Sequence, residues 1–131
     1  MLPSAHKPMP QSPLYQKAMD IFRLSRSISH YFVDDLNYLQ KDGHEHPDIY
    51  FTGDIVQQSV SLGPEILRAE SEAFSDAKQR HAASVARLTN RLYKNCERLE
   101  LSNSNGRDFL PLLRKELKKF RHLQRMWMLT L

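Results

Sequence analysis

Apolar residues recur at intervals of three and four along most of this chain, and they never alternate with polar residues long enough to predict a strand. The first run opens at Ser12-Pro13, a capping residue followed by a proline suited to the first helical position. Leu14, Ala18, Ile21, Ser25, Ile28 and Phe32 then share one face, widened by Tyr15, Met19 and Phe22, and this helix is expected to end between Phe32 and Leu39. The Asp-Gly and His-Pro steps between Gln40 and Asp48 predict a loop, with Asp48 as the cap of a second helix. That helix places Phe51, Ile55, Ser59, Leu62, Ile66 and Ala69 on one side. Gly63-Pro64 lies inside it and predicts a kink, because a proline there removes a hydrogen bond and crowds the preceding turn.

The third pattern starts between Ser71 and Ser75 and runs to about Leu101. His81, Val85, Leu88, Leu92, Cys96 and Leu99 form its expected core stripe, with Ala82, Ala86, Thr89 and Tyr93 beside it. This apolar surface is wider than a helix packed only within a monomer needs, and it predicts a contact between subunits. A turn at Ser102-Asn-Ser-Asn-Gly106 leads to the fourth helix, with Asp108 as its expected cap and Pro111 tolerated in the first turn. Leu110, Leu113, Leu117, Phe120, Gln124 and Trp127 make its inner face. The predicted fold is all-α: an antiparallel up-down four-helix bundle with a Pro-kinked second helix. It occupies residues 13–131, behind a flexible proline-rich leader at residues 1–12.

A length of 131 residues suits one domain, and scarce glycine favours helix. No apolar run could span a bilayer. Met1 to Pro13 carries four prolines and no apolar signal core, so a cytoplasmic setting is expected. The single cysteine, Cys96, falls on the core stripe and reads as a buried, inert thiol.

Charge changes the picture. Thirteen of the nineteen Lys and Arg residues lie between Lys78 and Arg125, against four acids there. From Asp20 to Asp76 the balance inverts, to four basic residues against eleven acidic ones. Arg80, Arg87, Arg91, Lys94 and Arg98 fall within a sector about 60° wide on the third helix, roughly 125° from the centre of its expected core stripe. Arg114, Lys118, Arg121 and Arg125 make a second row on the fourth helix, extended by Lys115, Lys119 and His122. Rows of this kind suit a phosphate backbone, since each neutralised phosphate releases counterions and Arg contacts phosphate in bidentate fashion. Two other readings stand beside it: a solvated face, or pairing with the acidic half of a neighbouring copy through Asp20, Asp34, Asp35, Asp54 or Glu65. Exposed aromatics are too few to form a stacking platform, so contact with the backbone is expected rather than sequence reading.

Other chemistry finds little support. His44-Glu45-His46-Pro47-Asp48 holds metal-binding residue types, but a stable site needs further ligands in fixed geometry, and no metal or other cofactor is expected. Asp34 and Asp35 are adjacent on a helix and point about 100° apart, so they do not converge on one substrate atom. No catalytic residues are expected, and the chain reads as a non-enzyme. His30 and His81 are expected to face or border the core, and Trp127 to pack within it.

The fourth helix, Leu112-Leu113-Arg114-x-Glu116-Leu117-x-x-Phe120-Arg121-x-Leu123-x-x-x-Trp127, resembles the last helix of a bacterial four-helix-bundle family. That family includes proteins encoded in intervening sequences of 23S ribosomal RNA genes, and it is similar in fold to the accessory variability protein of diversity-generating retroelements. Val60-Ser61-Leu62-Gly63-Pro64-Glu65-Ile66-Leu67-Arg68-Ala69-Glu70 resembles the family's proline-bearing second helix. The resemblance covers roughly residues 14–129. It implies a ring-like homopentamer, nucleic acid as a ligand, and a reverse transcriptase or RNA-processing system as the enzyme accompanied. Arg114 and Arg121 belong to the shared pattern, which leaves open that they are structural pairs. The expected function is therefore a non-enzymatic, oligomeric, nucleic-acid-binding bundle, with a self-assembling scaffold as the alternative.

Overall fold

The computed structural model describes residues 12–36, 43, 46–102 and 104–131. The expected leader, apart from Ser12, and most of the Gln40–Asp48 loop lie outside these residues. Four α-helices follow one another: α1 (Pro13–Leu36), α2 (Pro47–Ser71), α3 (Ser75–Leu99) and α4 (Leu110–Met128), with a short 3₁₀ turn (Asn105–Phe109) before the last. No strand occurs among the described residues, and no described helix is long and apolar enough to cross a membrane.

Local chemistry sets the helix starts. Ser12 Oγ accepts the Tyr15 N–H at 3.2 Å and caps α1. For α2 the cap is His46, whose Nδ1 accepts the Asp48 N–H at 3.1 Å. Pro47 takes the first helical position, so the capping role falls on the residue before it. The expected cap, Asp48, instead sits in the first turn, where its charge faces the positive end of the helix dipole. Asp108 does not cap α4 either. It lies within the 3₁₀ turn, which is capped by Ser104 Oγ accepting the Gly106 N–H at 3.0 Å, and no side chain caps α4 itself.

Each helix packs on the next in sequence, and α4 returns to α1, giving a closed antiparallel ring. Glu65 meets His81 and Gln58 meets Asn95 between α2 and α3, while Lys17 meets Glu116 between α1 and α4. α2 runs unbroken through the exposed Pro64. Its Gly63 lies against α1, where an added Cβ would stand 3.2 Å from the Tyr15 ring. The absence of a side chain there lets the two helices approach closely.

The core holds Leu14, Ile21, Ile28, Phe32, Ile55, Leu62, Ile66, Leu92, Leu99, Leu113, Leu117 and Phe120. Each such side chain contributes about 1.5–3 kcal/mol by leaving water. Trp127 joins them at 7% exposure and donates its indole N–H to Glu70 Oε2 at 3.0 Å, tying the ends of α4 and α2 together.

On α3 the buried residues are Ala82, Val85, Thr89, Leu92, Cys96 and Leu99. Ala82 and Thr89 replace the expected His81 and Leu88, which are half-buried. Small side chains allow α3 to sit deep between α2 and α4, so the wide apolar face is used within the bundle. That width therefore gives no sign of a subunit contact. His81 borders the core and meets Glu65 at 2.9 Å, whereas His30 is exposed on α1. The helical period brings His30 round to the solvent side, away from Ile28 and Phe32.

Candidate functional site

The rotation of α3 bears directly on its basic strip. Measured from the observed core residues, Arg80, Arg87, Arg91, Lys94 and Arg98 centre about 160° away, nearly opposite the core. All five are exposed. Asp76 lies one turn before Arg80, and Glu97 is placed on the side facing α4; these are the two acids that α3 carries.

The α4 row behaves differently. Arg114, Lys118, Arg121 and Arg125 lie about 100° from the centre of the buried α4 stripe, on the flank turned toward α3. Arg114 pairs with Glu100 at 3.2 Å, and Arg121 donates to Asn90 Oδ1 at 3.0 Å. Arg121 also lies over the Tyr93 ring, 4.4 Å from its centroid. Both guanidinium groups are half-buried and link α4 to α3. On the outer side of α4, Lys119 pairs with Glu116 at 3.5 Å. Glu116 also binds Lys17 at 2.8 Å. The Lys17 hydrogen bond holds the Glu116 carboxyl below its ordinary range, against the opposing effect of burial.

The eleven expected phosphate contacts therefore divide. Arg98 stacks on Phe51 of α2, 3.6 Å from the ring centroid, and with Arg114, Lys119 and Arg121 it is engaged inside the chain. Arg80, Arg87, Arg91, Lys94, Lys115, Lys118 and Arg125 are exposed and have no carboxylate within 4.0 Å among the described residues. The engaged cations found partners on other helices, apart from Lys119, and a single helix's periodicity cannot show such partners.

Carboxylates elsewhere are mostly occupied. Asp20 binds Arg23 at 3.2 Å, and Glu65 accepts from Arg68 at 2.7 Å. Burial opposes ionisation of Glu65, but the hydrogen bonds from His81 and Arg68 outweigh it and lower its pKa. Asp35 accepts from Ser104 and Asn105 rather than from a cation. In charge, α3 and α4 together carry twelve basic residues against three acidic ones, while α1 and α2 carry four against seven.

No cluster of three metal-ligating side chains occurs among the described residues, and His44 and Glu45 lie outside them. Cys96 is fully buried, and its thiol faces the Leu110 carbonyl at 3.4 Å. Burial, with the charge of Glu100 beside it, pushes its pKa up to about 12, so it is not a nucleophile at neutral pH.

Between α3 and α4 lies a cleft of about 350 Å³ lined by Ala86, Asn90, Arg121, Gln124, Arg125 and Met128. Asn90 carries no signal in the sequence. Gln124 is an amide in an otherwise apolar stripe, a signal that marks this cleft beside Arg121 and Arg125.

Fold and charge thus define a helical bundle with one strongly basic side. The chain matches no known protein family, no curated protein and no solved structure.

Proposed function

We propose that this protein is a non-enzymatic bundle that binds the phosphate backbone of RNA or DNA on its α3–α4 side. One observation carries the reading: seven exposed cations on two adjacent helices have neither a carboxylate partner nor an aromatic ring against them among the described residues. Arg80, Arg87, Arg91 and Lys94 supply the outward strip, and Lys115, Lys118 and Arg125 continue it on α4. Arg98, Arg114 and Arg121 act mainly in holding the helices together, and Lys119 is paired within α4. Through its resemblance to the intervening-sequence family, the proposal includes assembly into a ring-like homopentamer and service to a reverse transcriptase or RNA-processing enzyme.

The alternative, a scaffold in which the basic rows pair with acids of a neighbouring copy, has fewer partners to draw on. Of its five candidate carboxylates, Asp20, Asp35 and Glu65 are already engaged within the chain. Among the described residues, Asp34 and Asp54 remain.

Titration with labelled duplex and single-stranded RNA at two salt concentrations tests the proposal. Binding should weaken steeply as salt rises. Arg87→Glu combined with Arg91→Glu should abolish it while leaving the light-scattering mass unchanged. If the double substitution dissociates an assembly and no RNA binds at either salt, the scaffold reading replaces this one.

A further inference from the structure

Gln124 is buried to 6% exposure on α4, between Phe120 and Trp127 in the inner stripe. Its carboxamide makes no hydrogen bond with any described residue, and its polar atoms reach solvent through the α3–α4 cleft. Half-desolvated by the apolar stripe and unpaired within the described residues, that amide gains from a ligand that hydrogen-bonds it in the cleft. The neighbouring groups are suited to a ligand. Arg125 is exposed and unpaired among the described residues, and Arg121 engages Asn90 through one of its nitrogens and keeps further N–H donors. Ala86 and Met128 provide apolar wall, and the thioether adapts to irregular or planar contacts.

We infer that this cleft seats one adenine nucleotide, with the Gln124 carboxamide on the base edge and the phosphate on Arg121 and Arg125. A carboxamide offers one acceptor and one pair of donors side by side. Adenine presents the complementary pair, its N6 amine next to N7, which is the match a glutamine makes in bidentate fashion. A volume of about 350 Å³ lies within the range of small-ligand sites, although the cleft is open on one side. The base takes the deeper, apolar part and the phosphate stays at the rim, among the cations.

Adenine in a strand and free AMP present the same chemistry. The strand version rests on the backbone-binding reading above and adds one base-contacting position to it. The free version does not need that reading.

Single-stranded DNA oligomers of adenine, of thymine and of abasic residues would be titrated at one salt concentration, alongside AMP. For the native chain, the adenine oligomer is expected to bind roughly tenfold tighter than the abasic one. Gln124→Leu should remove that preference without changing the salt dependence. This variant extends the apolar stripe, and its fold is checked by helical content and melting. Arg125→Gln, on the surface, should weaken all oligomers alike and reduce the salt slope by about one. AMP binding that Gln124→Leu abolishes, with no oligomer bound at any salt, supports the seat while overturning the strand reading. Oligomers that bind without base preference, equally in the native chain and in Gln124→Leu, overturn the seat alone. If neither AMP nor any oligomer binds, both fall.

Discussion

Asp35, in the last turn of α1, accepts the Ser104 hydroxyl at 2.8 Å and so fixes the end of one helix to the approach of another. The Asn105 N–H reaches the same oxygen at 2.8 Å. These bonds, the Asn105 backbone first and Ser104 second, hold the Asp35 carboxyl below its ordinary pKa despite the opposing desolvation. A carboxyl depressed in the folded state binds a proton more readily when unfolded. Its contribution is therefore complete above the unfolded pKa and is lost as pH falls through the folded one. Glu65 and Glu116 are shifted in the same direction. Denaturant midpoints measured from about pH 5 to about pH 2 should fall, and Asp35→Asn should make that fall shallower. A variant with the same acid limb as the native chain would show that the contact carries no linkage.

Gly106 is needed for space rather than for backbone freedom. A Cβ there would stand 2.7 Å from Phe32 Cδ2, and the only described glycine with positive φ is Gly43. Gly106→Ala should destabilise the fold by about 1–3 kcal/mol, the usual cost of overpacking a tight core. Combining it with Phe32→Leu should cost less than the sum of the two single changes, because the smaller side chain relieves the clash. Equilibrium unfolding of the three variants measures this coupling.

Ser25 Oγ is buried and lacks a hydrogen-bond partner among the described residues. Ser25→Ala removes the unsatisfied hydroxyl and leaves the rest of the face intact, so stability should rise by about 1 kcal/mol. A fall of similar size in the unfolding free energy would mean that the hydroxyl has a partner in solution.

Cys96 should resist modification. With the thiol buried and its pKa at about 12, alkylation of the native protein at neutral pH should be slow and limited by opening of the bundle. In denaturant the same reagent should react at once. Rapid labelling of the folded chain would show that the α3–α4 contact opens readily.

The four helices and most of their buried positions were legible because they follow from spacing within one helix. Leu14 to Phe32 and Leu110 to Trp127 are buried at the periods their sequence displays. The caps of α2 and α4 were misplaced by local chemistry. Pro47 passed one capping role to His46, and the 3₁₀ turn absorbed Asp108. The rotation of α3 was misjudged because Ala82 and Thr89 look less apolar than Leu88, yet only their size lets the helix sink between its neighbours. The free and the engaged cations could not be separated from sequence. Whether Arg98 meets solvent or the ring of Phe51 depends on how α2 lies beside α3. Arg114 likewise depends on Glu100, fourteen positions earlier in the chain.

Because α1 and α2 form one side of the ring and α3 and α4 the other, the charges of the four helices are separated across the bundle's width. On the proposed reading, such a molecule would turn in the field of a distant polyanion and arrive with its guanidinium groups leading. Added salt would then slow the encounter itself, before any contact forms.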